Sequence, residues 1–204
     1  EGAAMDDTAA PPGLSPPHAA LLDQAFAMLA HAAADARAPA RNLVVGTSGD
    51  GIRLRIMVLR AFLPNQATPH QPAIELHTDA RSPKLNALRA CPRISALAWD
   101  PAMRVQITVQ GAASLLDPAA TAAIWRALPT STRGTYAVGA PPGTPIADPA
   151  EPASRLDEAH AASMFRVLRV GLDELEWLHL AADRHQRARF TWANGAVQAT
   201  WLVP

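Results

Sequence analysis

The spacing of apolar residues divides this chain into a helical opening and a long run of strands. Between 18 and 37, Leu21, Leu22, Phe26, Leu29 and the intervening alanines recur every third or fourth position, and Ala38-Pro39 closes the run. Beyond it, 42–48 and 52–63 are rich in Val, Ile and Leu and flank Gly49-Asp50-Gly51, which predicts an antiparallel hairpin. Further strands are predicted over 74–78, 94–99, 105–115, 165–170, 174–180, 187–193 and 197–202, the last two joined at Asn194-Gly195. Short helices are predicted over 84–90, from Asp117-Pro118 through Leu128, and within 153–163. Many closely spaced strands without long helices between them argue for a mainly β fold with peripheral helices, an antiparallel barrel and not a doubly wound sheet.

Alternation within strands says which side chains share a face. In 52–63, Arg53, Arg55, Met57 and Leu59 fall on one side and Leu54, Ile56, Val58 and Arg60 on the other, so Arg55 and Arg60 diverge unless a bulge intervenes. In 105–115, Val105, Ile107 and Val109 alternate with Gln106, Thr108 and Gln110, one face apolar and the other able to hydrogen-bond.

The remaining segments are breaks in this pattern. Residues 1–17 hold four prolines and two glycines with few large apolar groups, an expected flexible arm ahead of one domain over 18–204. A polar connection spans 64–72. The stretch 129–152 carries Pro141, Pro142, Gly143, Pro145 and Pro149, and a loop of that length is expected to be a lid or a dimer contact, with plain disorder as the alternative.

Composition narrows the partners. With 18 basic and 18 acidic residues the chain lacks the footprint of a nucleic-acid or anionic-membrane binder. The one cysteine, Cys91, cannot form an intramolecular disulfide, and no Cys/His spacing suggests a metal site. There is no basic-then-apolar leader and no uninterrupted apolar span of ~18 residues, so a soluble, cytoplasmic protein is expected.

One stretch carries candidate chemistry. An apolar run ending in His77-Thr78-Asp79 turns through Arg81-Ser82-Pro83-Lys84 into a helix. A cation on each side of a serine, with proline placed to open a helix, can aim backbone N–H groups and positive charge at a phosphate, although the same residues also suit a solvated surface turn. No other catalytic set stands out. Ser131 and Ser163 sit in no nucleophile elbow, Asp173 and Glu174 fall at an expected turn, and Pro141-Pro142-Gly143 is no phosphate loop.

The run from Thr78 to Lys84, followed by Leu88, Pro92, Trp99, Gln106 and Gly111, resembles the pyridoxamine 5′-phosphate oxidase-like flavoproteins. Upstream, Arg55-Ile56-Met57-Val58-Leu59-Arg60 is similar to that family's strand of an arginine, apolar residues and a closing cation. The resemblance extends with gaps from Leu43 to the C-terminus and implies an FMN-binding split β-barrel of Greek-key type. It further implies that Arg55 and Lys84 grip the FMN phosphate with Ser82 or Thr78, and that Ile56, Met57 and Val58 lie along the flavin. Gln106 would bond the pyrimidine edge, and Arg189 would reach the flavin. His179 stands where the oxidase has a tryptophan, which keeps haem open as another cofactor. Arg60 and His77 complete the candidate set. Pro83 replaces one of two expected cations, and Arg81 is the candidate substitute.

The substrate side departs from the oxidase. Ile124 and Leu128, ahead of Pro129, replace a tyrosine and an arginine that hold the substrate phosphate, and His185-Gln186-Arg187-Ala188-Arg189 keeps only the last arginine of an Arg-x-His-x-Arg motif. Arg126, Arg133 or Arg187 are the cations left to rebuild that grip. The expectation is an FMN-dependent oxidoreductase of an oxidase-related branch, a homodimer with FMN at the interface, acting with a small substrate or electron donor. The alternatives are the authentic oxidase and a non-catalytic flavin- or haem-binding barrel.

Overall fold

A computed structural model describes residues 14–49, 51–65, 71–148 and 154–204. Of the expected arm, residues 1–13 lie outside these, as do Asp50 of the first hairpin turn and residues 66–70 and 149–153. Helix α1 (Pro16–Ala34) starts on two prolines suited to a first turn and buries Leu22, Ala25, Met28, Leu29 and Ala32. A 3₁₀ turn (Pro39–Arg41) leads into β1 (Asn42–Gly49) and β2 (Gly51–Leu63), and β3 (Ala73–Asp79) follows. Helix α2 (Pro83–Ala90) precedes β4 (Arg93–Asp100) and β5 (Val105–Leu115). Three short helices come next, α3 (Pro118–Ala127), α4 (Thr130–Gly134) and α5 (Glu158–Met164), then β6 (Phe165–His179), β7 (Gln186–Ala193) and β8 (Ala196–Leu202). No described helix is long and apolar enough to cross a membrane.

The sheet runs β3-β2-β1-β4-β5-β6-β7-β8, all antiparallel, and β3 also pairs with β6. That closure makes a six-stranded barrel, with β4 returning beside β1 in the Greek-key manner expected from the sequence. Strand β6 holds the architecture together. One edge of it pairs with β5 along nearly its whole length; the other pairs with β3 over Phe165–Gly171 and with β7 over Glu174–His179. The barrel therefore splits along β6, and β7 and β8 continue past it as a flap of sheet.

The sequence suggests two strands and a turn where β6 runs unbroken for 15 residues. Asp173 and Glu174, polar and adjacent, imitate a turn. Gln110 pairs with Glu174 but Gly111 with Leu172, so Asp173 is the extra residue of a β-bulge and forms an ion pair with Arg93. Gly111 is required there: a Cβ on it would stand 2.1 Å from the Gly171 carbonyl oxygen.

The barrel interior is packed by Leu43, Val45, Leu59, Leu76, Ile107, Val109, Val170, Leu172 and Leu175. Helix α1 closes over it. Phe26 meets Phe62 edge-on with centroids 5.0 Å apart and lies parallel to Trp192 at 6.3 Å. A smaller second core gathers Trp125, Tyr136, Ala161, Phe165 and Val167 beneath α3 and α5.

Candidate functional site

A cleft of about 280 Å³ opens where β2 and β3 end against α2 and the 135–142 segment. Nine of the residues singled out from the sequence line it: Arg55, Ile56, Met57, Val58 and Arg60 from β2, His77 and Thr78 from β3, and Ser82 and Lys84 from the turn into α2. Arg55 and Arg60 reach one cleft because the β2–β3 register jumps between Leu59 and Ala61, leaving Arg60 as a bulged residue re-aimed by the extra step.

The cationic end of the cleft is built around Lys84. Its ammonium donates to the hydroxyls of Thr78 and Ser82, both at 2.8 Å. Each hydroxyl, having accepted, keeps its own proton to donate outward, and the ammonium keeps a third N–H. Arg55 donates to the buried Thr47 hydroxyl at 2.8 Å and retains the rest of its fork. Burial pulls the Lys84 pKa below its ordinary value, the Arg55 charge adds to the effect, and Asp79 offsets only part of it. Burial likewise lowers Arg55, followed by repulsion from Arg53. Two part-buried cations thus face each other with no carboxylate between them, an arrangement that costs free energy until an anion arrives.

Asp79, the carboxylate on the cleft wall, is committed to Arg81. Burial works against its charge, but hydrogen bonds from the Arg81 side chain and backbone hold its pKa below the usual carboxylate range. The Arg81 guanidinium contacts Asp79 at 2.7 Å and donates onward to the carbonyls of Gly139 at 2.7 Å and Val138 at 2.9 Å. Arg81, the sequence-based substitute for a missing phosphate contact, does not line the cleft. It latches the 135–142 segment across the end of β3.

That segment supplies wall residues the sequence reading did not name: Thr135, Tyr136 and Pro142, with Asp79 from β3. Tyr136 is the chain's single tyrosine, placed in a proline-rich stretch, and an aromatic there needs a partner for its ring. It finds Phe165 at 5.1 Å and Trp125 at 5.9 Å. The stretch 129–152 is also less irregular than expected, since it contains α4 and Val138, which forms a bridge with Arg155.

At the other end of the cleft, His77 packs edge-on against Phe165 at 4.8 Å. Burial first, and then the Arg60 charge, push its pKa down to about 4, so the ring is neutral near pH 7. His77 Nδ1 and Arg60 Nε are both buried without a hydrogen-bond partner. Polar atoms left in that state on a cleft wall are satisfied by water or by a ligand.

Three candidates lie elsewhere. Gln106 pairs with Leu178, His179 ends β6, and Arg189 sits on β7 opposite Glu176. Thr78, at the cleft, pairs with Arg166, so twelve residues or about 40 Å of strand separate it from the level of Gln106. Arg189 is held by Glu176 at 2.6 Å, and the same carboxylate takes Arg187. Arg133 pairs with Glu158 at 2.7 Å, and Arg126 donates to its own helix. Ile124 and Leu128, the substrate-side departures, pack against the second core.

Residues 24–117 match the family described as pyridoxamine 5′-phosphate oxidase, FMN-binding domain. Over that segment, a little under half of the chain, the sequence is similar to that family. The match to the FMN-binding family runs from the middle of α1 to just past β5 and includes every cleft residue drawn from β2, β3 and α2. The fold is similar to that of a pyridoxamine 5′-phosphate oxidase-related, FMN binding protein from Nostoc punctiforme PCC 73102. That likeness has 22% identity and a TM-score of 0.72, and covers 94% of this chain and 100% of that one. PhzG from Burkholderia lata 383, solved with tetrahydrophenazine-1-carboxylic acid, is similar at 20% identity and a TM-score of 0.66, covering 96% of this chain and 100% of PhzG. No curated protein matches the chain.

Proposed function

We propose that this protein binds FMN in the β2–β3–α2 cleft and acts as an FMN-dependent oxidoreductase of the oxidase-related branch, on a small substrate other than pyridoxamine 5′-phosphate. The observation that carries the reading is the donor set at one end of the cleft. Lys84, Arg55, Thr78 and Ser82 offer charge and outward protons to an anion, and the carboxylate on the cleft wall, Asp79, is paired with Arg81. A phosphate monoester fits that set. Ile56, Met57 and Val58 lie beside it as an apolar strip for a planar ring, with Arg60 and His77 beyond as polar ends. Bound there, FMN would supply two-electron transfer, and the chain's part is to bind it, orient it and leave one face open to a substrate.

The site is proposed to be completed by a second copy of the chain. Gln106, His179 and Arg189 are too far along β6 to meet the FMN of their own cleft. Next to the cleft, β2 exposes Ile52 (82%), Leu54 (69%) and Ile56 (61%) in alternate positions, an apolar row typical of a covered surface. Pairing two chains through these rows brings the distant set of one chain toward the cleft of the other.

The substrate side sets this protein apart from the vitamin B6 enzyme. Ile124 and Leu128 offer no donor to a substrate phosphate, and a site lacking groups built for an anion loses several orders of magnitude in discrimination. Turnover of pyridoxamine 5′-phosphate by the FMN-loaded protein is expected to be undetectable, and ready turnover would restore the authentic oxidase as the reading.

The deciding experiment is the absorption spectrum of freshly purified protein, with release and mass identification of the chromophore. Oxidised-flavin bands, released as FMN at about one per chain and lost in Arg55→Gln with Lys84→Gln, are expected. A colourless protein that takes up no added FMN removes the cofactor assignment, and a Soret band transfers it to haem.

A further inference from the structure

A second cavity, of about 450 Å³, lies on the far side of the aromatic cluster, between the start of α3 and the junction of α5 with β6. Its volume falls in the range of small-molecule sites. The walls are hydrocarbon and aromatic, from Leu115, Leu116, Trp125 and Phe165, and one cation, Arg166, stands among them. Phe165 is fully buried and Trp125 nearly so, which fixes both rings before anything binds.

Arg166 is the informative residue. One terminal nitrogen donates to the Ser163 carbonyl at 2.8 Å and to the Phe165 carbonyl at 2.7 Å, at the C-terminal end of α5. Those bonds anchor the guanidinium and leave its other nitrogens uncommitted. Among the described residues it forms no ion pair with a carboxylate. A rigidly held guanidinium presents a flat fork that matches a carboxylate and loses little freedom on binding one. Nearby, the Thr121 hydroxyl reaches its only acceptor, the Leu116 carbonyl, at a weak 3.4 Å and is free to turn toward a ligand.

We propose that this cavity is a binding site for a small aromatic carboxylate, its ring against the wall that Trp125 and Phe165 form together, their centroids 5.4 Å apart, and its carboxylate on the open edge of Arg166. Charge selects the class. A single cation in an apolar setting balances a monoanion, leaves a phosphate dianion half neutralised, and gains nothing from a neutral ring beyond its burial. The site is separate from the FMN cleft: Phe165 lines only this cavity and touches the cleft residues His77 and Tyr136 from behind, and no residue lines both.

Calorimetric titration of the full chain, saturated with FMN, tests this with 2-naphthoate and 2-naphthamide as probes. Naphthoate is expected to bind once per chain, the amide about tenfold or more weaker, and Arg166→Gln to lose about the same factor. Ala122 is an exposed residue on the cavity wall, so Ala122→Phe narrows the cavity without entering the core and is expected to abolish the heat of binding. Equal affinity for acid and amide, full naphthoate binding by Ala122→Phe, displacement of naphthoate by FMN, or no uptake at millimolar concentration would each overturn the proposal. Should Arg166→Gln fail to fold, the acid-to-amide ratio and Ala122→Phe still decide it.

Discussion

Lys84 and His77 show how the cleft sets the state of single side chains. Lys84 is stripped of water and crowded by Arg55, so it gains more from a bound anion than a surface lysine does. A hydrogen bond to a charged group is worth about 1.5–3 kcal/mol, and Lys84→Gln is expected to weaken FMN binding by about 10–100-fold in a fluorescence titration, with little effect on thermal stability. His77 works in the opposite direction. Its folded pKa of about 4 lies below its ordinary value of 6.5, so the unfolded chain takes up the proton first. Stability is therefore full above about pH 6.5 and falls as pH drops toward 4, by on the order of 2 kcal/mol after allowance for a partly open site. Urea midpoints of the wild type between pH 4 and 7 should show that slope, and His77→Gln should flatten it; parallel slopes would show that His77 contributes nothing.

At the level of elements, the two bulges do most to turn a plain barrel into a site. The β2 bulge brings Arg60 to the same cleft as Arg55, and the β5–β6 bulge lets one strand carry through the split. Gly111→Ala would push a methyl group into the Gly171 carbonyl, and the expected loss is about 3 kcal/mol or more, read as a lowered urea midpoint. Arg81→Gln is expected to release the 138–139 carbonyls and expose the Tyr136 wall, measured as faster hydrogen exchange across 135–142. Most of these elements were legible as periodicity: the α1 run, the hairpins and the Lys84–Ala90 turns lie within a few residues of their predicted ends. What was not legible has physical causes. A bulge substitutes polar residues for a turn, as Asp173-Glu174 did, and a latch such as Arg81 to Gly139 joins residues 58 apart in sequence. The same distance hides the cleft roles of Thr135, Tyr136 and Pro142, because a wall residue on a loop leaves no period to read.

For the whole molecule, the exposed row on β2 and the displaced trio on β5, β6 and β7 point to the same assembly. Leu54→Asp places a charge in the middle of that row and is expected to give monomers in sedimentation analysis that bind FMN weakly. Monomers that keep full FMN affinity would show that one chain suffices. The closure of the barrel has a further bearing on where this chain can be cut. Residues 24–117, the part that matches the FMN-binding family, end with β5, while the strand that seals β3 to β5 begins only at Phe165. A piece trimmed at 117 would carry every cleft residue of β2, β3 and α2, yet it would present two long, unpaired strand edges. Such edges pair with one another between molecules, so the fragment should collect in insoluble material instead of behaving as a small flavoprotein.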